Sequence, residues 1–236
     1  MTEHWLIIGA SGGIAQGLLQ NLLAAGHQVS AISRQPLAEP RSAVSWYQLQ
    51  SAEQGAADTV LSCIFQQPVT AVVICQGWLH GDGHLPEKSL QQISRHALQQ
   101  SMEINLFSPA FYLQALQPWL QKQPGIRVAV LSAKVGSITD NQLGGWYSYR
   151  MAKAALNMLV RCASIELGRV NKTAVLFSLH PGTTDSALSA PFQQRLPAGQ
   201  LQSAAATAER LLSVIRQSQP TDSGLLLNWD GQPIPF

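Results

Sequence analysis

Seven short apolar segments, most of them separated by longer stretches with helical spacing, constrain the fold of this chain more than any other feature. Because the apolar residues in these segments are nearly unbroken, the segments are typical of strands covered on both faces. They span residues 4–8, 28–32, 44–49, 71–75, 127–131, 174–179 and 224–227. Helical patterns occupy residues 14–25, 52–66, 90–121, 147–168 and 204–217. This order predicts an α/β fold, a doubly wound parallel sheet of about seven strands flanked by helices.

Length and composition favour one large α/β domain over residues 1–236, since no repeat or linker divides the 236 residues. Charged residues make up 12% of the chain and the net charge is +2 without a basic run, so we expect no nucleic-acid partner. Three dispersed cysteines show no metal-ligand spacing, so no metal site is expected. No apolar run approaches the roughly 18 residues of a membrane span and no leader pattern is visible. We therefore expect a cytoplasmic protein that does not bind membranes.

A glycine-rich turn follows the first predicted strand in "IIGASGGIAQGLL". Gly9 and Gly13 permit a tight turn, and the N-terminus of the following helix points at that turn, where it could hold a pyrophosphate. The spacing is G-x-x-x-G-x-A, with Ala15 where a third glycine could stand, so a plain turn is the alternative. The turn predicts dinucleotide binding by Gly9, Ser11, Gly12, Gly13 and Ile14.

The second predicted strand ends in "SAISRQP", where a domain that prefers NAD would carry an acidic residue for the ribose hydroxyls. This chain has Ser33 and Arg34 instead. Arg34 could pair bidentately with a 2′-phosphate, although a solvated surface arginine is the alternative. The position predicts that NADP(H) is preferred over NAD(H).

Two tyrosines and a lysine stand close together in "WYSYRMAK". Tyr149 and Lys153 are four residues apart, so they share one face of a predicted helix, whereas Tyr147 pairs with Met151 on the same count. A neighbouring cation favours the phenolate and lowers a tyrosine pKa toward the range of proton exchange. The pair predicts acid–base chemistry at Tyr149, and an ordinary amphipathic helix is the alternative.

Five segments in order, "GASGGIA", "EINLFSPA", "VAVLSA", "YSYRMAK" and "HPGTTDS", resemble the short-chain dehydrogenase/reductase family over almost the whole chain. The stretch "GSITDNQLGGWYSYRMAKAALN" and the ending "NWDGQPIPF" are similar to its C-factor-like and sniffer-like carbonyl reductase branch. The resemblance implies a Rossmann fold, an NAD(P) cofactor and hydride transfer between the nicotinamide and a carbonyl or alcohol. It also implies that Tyr149 donates the proton, while Lys153 holds the nicotinamide ribose and lowers the tyrosine pKa.

Asn105 matches the family's helix asparagine, which helps to hold a water in a proton relay. Pro109 lies four residues later and has no N–H, so the carbonyl of Asn105 loses its helical partner. We therefore predict a break in the helix near Asn105, with a free acceptor there. A proline that merely bends a long helix is the alternative.

The resemblance places further cofactor contacts at the ends of later strands. The family's acidic residue near the adenine appears here as Gln48, followed by Leu49, and its paired asparagines appear as Cys75 and Gln76. Gly77 completes the latter segment. Within "HPGTTDSALS" the predicted contacts to the nicotinamide amide and pyrophosphate are Pro181, Gly182, Thr184 and Ser186. A surface turn is the alternative for that segment, and His180 is expected to be a core-edge histidine.

Loops are predicted at residues 35–42, 77–87, 133–145 and 181–200. Because ligands bind at the carboxyl ends of parallel strands, these loops are expected to surround the site. The last of them is expected to close over substrate with an apolar face. That face comprises Leu188, Pro191, Phe192 and Leu196.

The catalytic serine of the family is not obvious in "LSAKVG". Counting back from Gly136 places Ala133 where the second residue of the family's Ser-Ser pair would stand, and Ser132 one residue early. Neighbouring strand residues point to opposite faces, so a bulge would be needed to aim Ser132 at the substrate. We favour Ser132; the alternatives are Ser137 or a water, or loss of the contact.

These observations predict an NADP(H)-dependent oxidoreductase acting on a small carbonyl or alcohol. A non-catalytic dinucleotide sensor or C-factor-like signalling protein on the same fold is the alternative, supported by Ala15, Gln48, Cys75 and the serine problem. Retention of both Tyr149 and Lys153 favours the enzyme. The resemblance further implies a homodimer or homotetramer that pairs through the helices at residues 90–121 and 147–168.

Overall fold

A predominantly parallel sheet forms the centre of the protein in the computed structural model, which describes residues 2–37, 43–81 and 83–236. In these ranges the strands are β1 (His4–Ile8), β2 (Gln28–Ser33), β3 (Val44–Gln48), β4 (Ala71–Ile74), β5 (Arg127–Leu131), β6 (Val175–His180), β7 (Thr183–Thr184), β8 (Leu201–Gln202), β9 (Leu226–Asn228) and β10 (Pro233–Ile234). The α-helices are α1 (Gly13–Ala24), α2 (Asp58–Ile64), α3 (Arg95–Met102), α4 (Ser108–Leu120), α5 (Tyr147–Val170) and α6 (Ala204–Gln217). Part of the predicted loop at residues 35–42, namely residues 38–42, lies outside the described chain.

The strand order in the main sheet is β10-β9-β6-β5-β4-β1-β2-β3. All neighbours are parallel except the first pair in this order, in which β10 runs antiparallel to β9. The order reverses between β1 and β4, and such a switch point leaves a crevice at the carboxyl ends of the strands. The predicted fold class is confirmed, and β10 extends the sheet by one short strand beyond the predicted set.

Helices cover both faces of the sheet, which explains the unbroken apolar runs. Ala129 and Leu131 of β5 pack in a core with residues of α1 and α6. Val128 and Val130 of the same strand belong to a second core with α4 and α5. Each residue of a central strand is therefore buried whichever way it points.

The predicted helix at residues 90–121 is divided into several pieces. A 3₁₀ turn at Leu90–Gln92 precedes α3, whose N-cap Ser94 accepts a hydrogen bond from the Ala97 N–H. A π-helical turn then joins α3 to α4, and in it the Ser108 N–H donates to the carbonyl of Glu103 five residues earlier. The break predicted near Asn105 is present in this form.

Two other predicted segments differ in the structure. The helix predicted at residues 52–66 begins as a 3₁₀ turn at Glu53–Gly55 and becomes α-helical only in α2. The predicted loop at residues 181–200 is closed at its base by pairing of β7 with β8. Further 3₁₀ turns lie at Lys134–Gly136, Ala190–Arg195 and Pro220–Asp222.

Within the described ranges, no helix combines the length and the apolar character needed to cross a bilayer.

Candidate active site

The glycine turn after β1 has the geometry of an anion-binding loop. Gly9 has φ +79°, and a Cβ there would lie 3.0 Å from Cγ of Gln76. Gly12 is the N-cap of α1, and no described side chain caps the helix at that point. The first N–H groups of α1 are thus left to a ligand, and an anion there is favoured by the helix dipole. This cradle fits a pyrophosphate.

A cavity of about 270 Å³ adjoins this turn and is called the glycine-turn cavity. Its lining includes predicted cofactor residues at or just beyond the ends of β1, β2 and β4. They are Gly9, Ser11, Gly12, Ser33, Arg34, Cys75, Gln76 and Gly77. The exposed Arg34 and Tyr112 both line this space. Burial raises the pKa of Tyr112 to about 12, and the charge of Arg34 acts in the opposite direction. Two carboxylates, Glu53 and Glu103, also line the cavity.

Gln48 and Leu49, which are predicted cofactor contacts, lie outside the described lining of this cavity. The Gln48 amide donates to the carbonyl of Arg34 at 3.1 Å, and Leu49 packs against the core formed with α2 and α4. Gln50 and Ser51, which follow directly in the chain, line the cavity.

Tyr149 and Lys153 lie on one face of α5, as predicted, and both are buried, with 8% and 2% of their surface exposed. The Nζ atom of Lys153 lies 5.8 Å from the centre of the Tyr149 ring. It also donates to the carbonyl of Leu131 at 3.0 Å. The lysine therefore ties the catalytic face of α5 to the end of β5.

The expected lowering of the Tyr149 pKa is not found. Burial raises the pKa of Tyr149 above its ordinary value, and burial lowers the pKa of Lys153 to about 7. An ammonium removed from water loses part of its charge near neutral pH, so it cannot offset the desolvation of the phenol. In the protein alone, Tyr149 keeps its proton.

Asn105 is fully buried and holds the loop that follows β4. Its Oδ1 accepts from the Trp78 N–H at 2.9 Å, and its Nδ2 donates to the Trp78 carbonyl at 2.8 Å. A Cβ on Gly77 would lie 3.7 Å from Asn105 Oδ1 and 4.0 Å from Lys153 Nζ. Asn105 and Lys153 therefore converge on Gly77, between the glycine turn and Tyr149.

A second cavity of about 540 Å³, the tyrosine cavity, lies beside Tyr149. Its lining includes further residues that were predicted for the site, namely Ile14, Ser132, Tyr149, Pro181, Gly182, Thr184 and Ser186. Trp146 forms an aromatic wall, with ring centres 5.0 Å from Phe192 and 6.4 Å from Tyr149. Leu188, Phe192 and Leu196 line the cavity as expected, whereas Pro191 is exposed and lies outside its described lining.

The loop after β6 joins the two cavities. Gly182 has φ +75°, and a Cβ there would lie 3.0 Å from Cδ1 of Trp229. A Cβ on Gly13 would lie 3.0 Å from Cβ of Ser186, so the loop reaches back to the glycine turn. Thr184 is buried and its hydroxyl bonds that of Thr207 at 2.9 Å, which anchors the loop to α6.

Ser132 does not point its hydroxyl proton at the tyrosine cavity, which corrects our preferred assignment. The hydroxyl donates to Oδ1 of Asn157 at 2.7 Å, and a serine has only one such proton. The expected bulge is not found here, because the Ser132 N–H continues the ladder to the Leu179 carbonyl. Ser137 is engaged elsewhere, donating to the carbonyl of Pro235. Ala133 is the residue that packs with Tyr149.

Two neighbours of the site were not predicted from the sequence. Trp146 walls the tyrosine cavity, and Trp229 supports Gly182. The resemblance of the "NWDGQPIPF" ending was a signal for Trp229, but its role needed the fold. His180 also lines the tyrosine cavity, where burial and then the charge of Lys134 lower its pKa to about 4. The described residues contain no group of three His, Cys, Asp or Glu side chains arranged for a metal.

A family model described as short chain dehydrogenase matches residues 3–196 of this chain. The chain belongs to the short-chain dehydrogenase family. C-signal of Myxococcus xanthus is 35% identical over 133 residues, which cover 56% of this chain and 75% of C-signal. The family assignment supports an NAD(P)-dependent oxidoreductase.

Solved structures of short-chain dehydrogenases share the fold. The carbonyl reductase Sniffer of D. melanogaster has 21% identity and a TM-score of 0.85, with 100% of both chains covered. An NADPH-bound carbonyl reductase from chicken fatty liver has 23% identity and a TM-score of 0.82, covering 100% of this chain and 99% of that one. The predicted family is confirmed, and C-signal and Sniffer agree with the predicted branch.

Proposed function

We propose that the protein is an NADP(H)-dependent reductase of carbonyl compounds with a substantial apolar part, or a dehydrogenase of the corresponding alcohols. The observation that carries this proposal is the buried Tyr149–Lys153 pair, which stands where an apolar cavity meets a glycine-turn cradle. A binding module would have no need for a phenol at that junction.

The cofactor would lie across both cavities. The glycine turn and Ser186 would hold the pyrophosphate, Arg34 the 2′-phosphate, and Lys153 the nicotinamide ribose. Pro181 and Gly182 would flank the nicotinamide. When bound, the nicotinamide supplies or accepts the hydride.

Tyr149 would hold the proton that the substrate oxygen receives. Its raised pKa keeps the phenol protonated at neutral pH, which suits reduction of a carbonyl. Leu79 and Ala133 exclude water on one side of the phenol, since they form an apolar cluster with it. Trp146 and Phe192 offer flat apolar surface on the other side, and the names of the Sniffer and chicken proteins support a carbonyl substrate.

The proposal is tested by turnover of NADPH with a panel of apolar aldehydes and ketones. Tyr149→Phe should lower kcat by about 10²–10⁴, the usual worth of a general acid, with little change in the Kd for NADPH. Tyr147→Phe is the matched control, because Tyr147 lies outside the described lining of the tyrosine cavity. An inactive Tyr147→Phe variant beside an active Tyr149→Phe variant would contradict the assignment.

Cofactor choice is tested by calorimetric titration. A charge-assisted pair with phosphate contributes roughly 1.5–3 kcal/mol, or about ten- to a hundredfold in affinity. NADPH should therefore bind more tightly than NADH, and Arg34→Ala should remove most of that difference. Equal Kd values in the unaltered protein would reject the preference.

A dinucleotide-binding sensor or signalling protein is the second candidate. Ala133 in the serine position favours it, because the substrate oxygen then lacks a hydroxyl partner beside Tyr149. The similarity to C-signal also supports it. Tight NADPH binding without consumption of any carbonyl in the panel would favour this candidate over the enzyme.

Pairing between copies is also proposed. Large apolar side chains are exposed on the π turn and α5, namely Phe107 at 45%, Met151 at 47%, Met158 at 63% and Ile165 at 47%. The three on α5 are seven residues apart and follow one face of the helix. A homodimer or homotetramer through this face would appear in sedimentation equilibrium, and Met158→Lys should weaken it.

A further inference from the structure

Glu87 is a buried carboxylate that the proposed function leaves unused. Only 2% of its surface is exposed, and its described surroundings hold no cation within ion-pair distance. Its Oε2 accepts from the Ser148 N–H at 3.2 Å, whereas its Oε1 is buried without a described partner. Burial of a carboxyl group is unfavourable unless polar neighbours satisfy it, so the surroundings of Glu87 must serve that purpose.

The start of α5 provides this compensation. Its N-cap Trp146 makes no side-chain capping bond, which leaves the first N–H groups of the helix without local partners. Glu87 takes two of the N–H groups here: its backbone carbonyl accepts from Trp146 at 2.5 Å and its carboxylate from Ser148. The positive end of the helix dipole faces the carboxylate. A residue of the loop after β4 therefore caps the helix that carries Tyr149.

The same contacts hold an unfavourable backbone conformation. Trp146 has φ 52° and is the one non-glycine residue with positive φ in the described chain. Such a conformation is unfavourable for a residue with a side chain and persists where neighbours enforce it. A Cβ on the preceding Gly145 would lie 3.3 Å from the Glu87 carbonyl, so the turn packs closely on Glu87.

This turn sets the geometry of the site directly. Trp146 walls the tyrosine cavity, and Tyr149 follows three residues later on the same helical turn. The Ser148 carbonyl is held from the other side by the Ser101 hydroxyl at 3.1 Å. Glu87 thus accepts hydrogen bonds from two N–H groups at the start of α5, and Ser101 donates one to a carbonyl there.

We propose that Glu87 is a positioning residue for the reaction: by capping α5 and holding the Trp146 turn, it fixes the Tyr149 phenol and the aromatic wall of the cavity. The inference rests on the proposed function for its effect on turnover. Its effect on the first turn of α5 does not depend on that function.

Glu87→Ala should lower kcat by about ten- to a hundredfold, the usual effect of a misplacement near 1 Å. The Kd for NADPH should change by less than about threefold, because the phosphate cradle lies on α1 rather than α5. Glu87→Gln should restore most of the activity, since its amide oxygen can accept from Ser148. If Glu87→Ala does not fold, Glu87→Asp replaces it, because the shorter side chain cannot span the same distance.

Asn171→Ala is the matched control at the other end of α5. Asn171 is buried and its amide donates to the carbonyls of Leu120 and Gln123, both at 2.8 Å. This variant should lower Tm without lowering kcat at a temperature well below Tm. Hydrogen exchange of residues 146–150 should accelerate in Glu87→Ala and not in Asn171→Ala.

The inference is overturned if Glu87→Ala, or Glu87→Asp in its place, leaves hydrogen exchange of residues 146–150 unchanged. It is also overturned if kcat is unchanged, or if Glu87→Gln is as impaired as the alanine variant. Absence of turnover in the unaltered protein would reject the proposed function instead. The exchange measurement would then still decide whether Glu87 holds the turn.

Discussion

At the scale of single residues, the neighbours Ser132 and Ala133 divide two roles that a pair of serines would share. Ser132 is buried and bonded to Asn157 on α5, so its hydroxyl joins β5 to that helix. Ala133 packs against Tyr149 and offers no donor. The side chain that packs on Tyr149 is thus the one without a hydroxyl.

A pair of substitutions tests this division. Ala133→Ser should raise kcat with carbonyl substrates, because a hydroxyl beside Tyr149 could stabilise the developing oxyanion; losing such a donor typically costs about 10²–10³. A gain of about tenfold is expected, since the new hydroxyl has not been optimised. Steady-state rates at saturating NADPH provide the measurement.

Ser132→Ala serves as the comparison. It should lower the free energy of unfolding by about 1–3 kcal/mol, because Asn157 loses its buried partner, while kcat changes only a few-fold. A large loss of kcat in Ser132→Ala, with no gain in Ala133→Ser, would return the catalytic role to Ser132.

At the scale of elements, the packing of α1 on α6 brings two backbones unusually close. A Cβ on Gly17 would lie 2.4 Å from the Ala204 carbonyl oxygen, and a backbone atom cannot turn aside as a side chain can. The close approach also keeps α6 in place beneath the loop that carries Thr184, through the Thr207 hydroxyl. The glycine turn and the loop after β6 therefore depend on one helix–helix contact.

Gly17→Ala should therefore force the helices apart and lower the free energy of unfolding by about 1–3 kcal/mol. Gly168→Ala is the matched control, since Gly168 lies within α5 and a Cβ there meets nothing within 4 Å. That substitution should stabilise the protein by about 0.5–1 kcal/mol through helix propensity. Urea unfolding measures both; equal stability of the two variants would show that α1 and α6 can separate without cost.

Elements with strong periodicity were predictable, and those set by tertiary contacts were not. The parallel strands followed from their unbroken apolar runs, and Pro109 signalled the break at the π turn. The break before α3 depends on the Ser94 cap, within a stretch whose apolar pattern continues. The two-residue strands β7, β8 and β10 are too short to carry a pattern, so they could not be predicted from the sequence.

At the scale of the whole molecule, the sequence predicts best those parts of the candidate site that the backbone places. The glycine turn, the Tyr149–Lys153 face and the segment after β6 follow from spacing and strand order. Side-chain direction at a strand end was not predictable, as at Ser132, whose hydroxyl is bonded to Asn157. Glu87 could not be predicted, because its role depends on a contact between segments some 60 residues apart in the chain.

Folding stability should depend on pH through Lys153. Burial lowers its pKa to about 7, whereas in the unfolded chain the lysine stays protonated to its ordinary value near 10.5. Between these values the unfolded state binds more protons, so stability should rise as pH increases from 7 to 9, by about 1–2 kcal/mol. Above pH 9 the raised pKa of the Cys75 thiol acts in the opposite direction.

Urea unfolding of the cofactor-free protein at pH 7 and pH 9 measures this rise. Lys153→Met should flatten it, because the variant has no group to titrate at that position. A rise of the same size in Lys153→Met would assign the effect to other groups.

The short strand β10 has a consequence for the behaviour of the protein in concentrated solution. An exposed sheet edge invites pairing with another chain, which is a common route to aggregation. Here the edge strand begins at Pro233, which has no N–H to donate to an incoming strand, and the pairing covers only two residues. Strand addition to the main sheet is therefore disfavoured on this side, and association of that kind is expected at β3, the opposite edge.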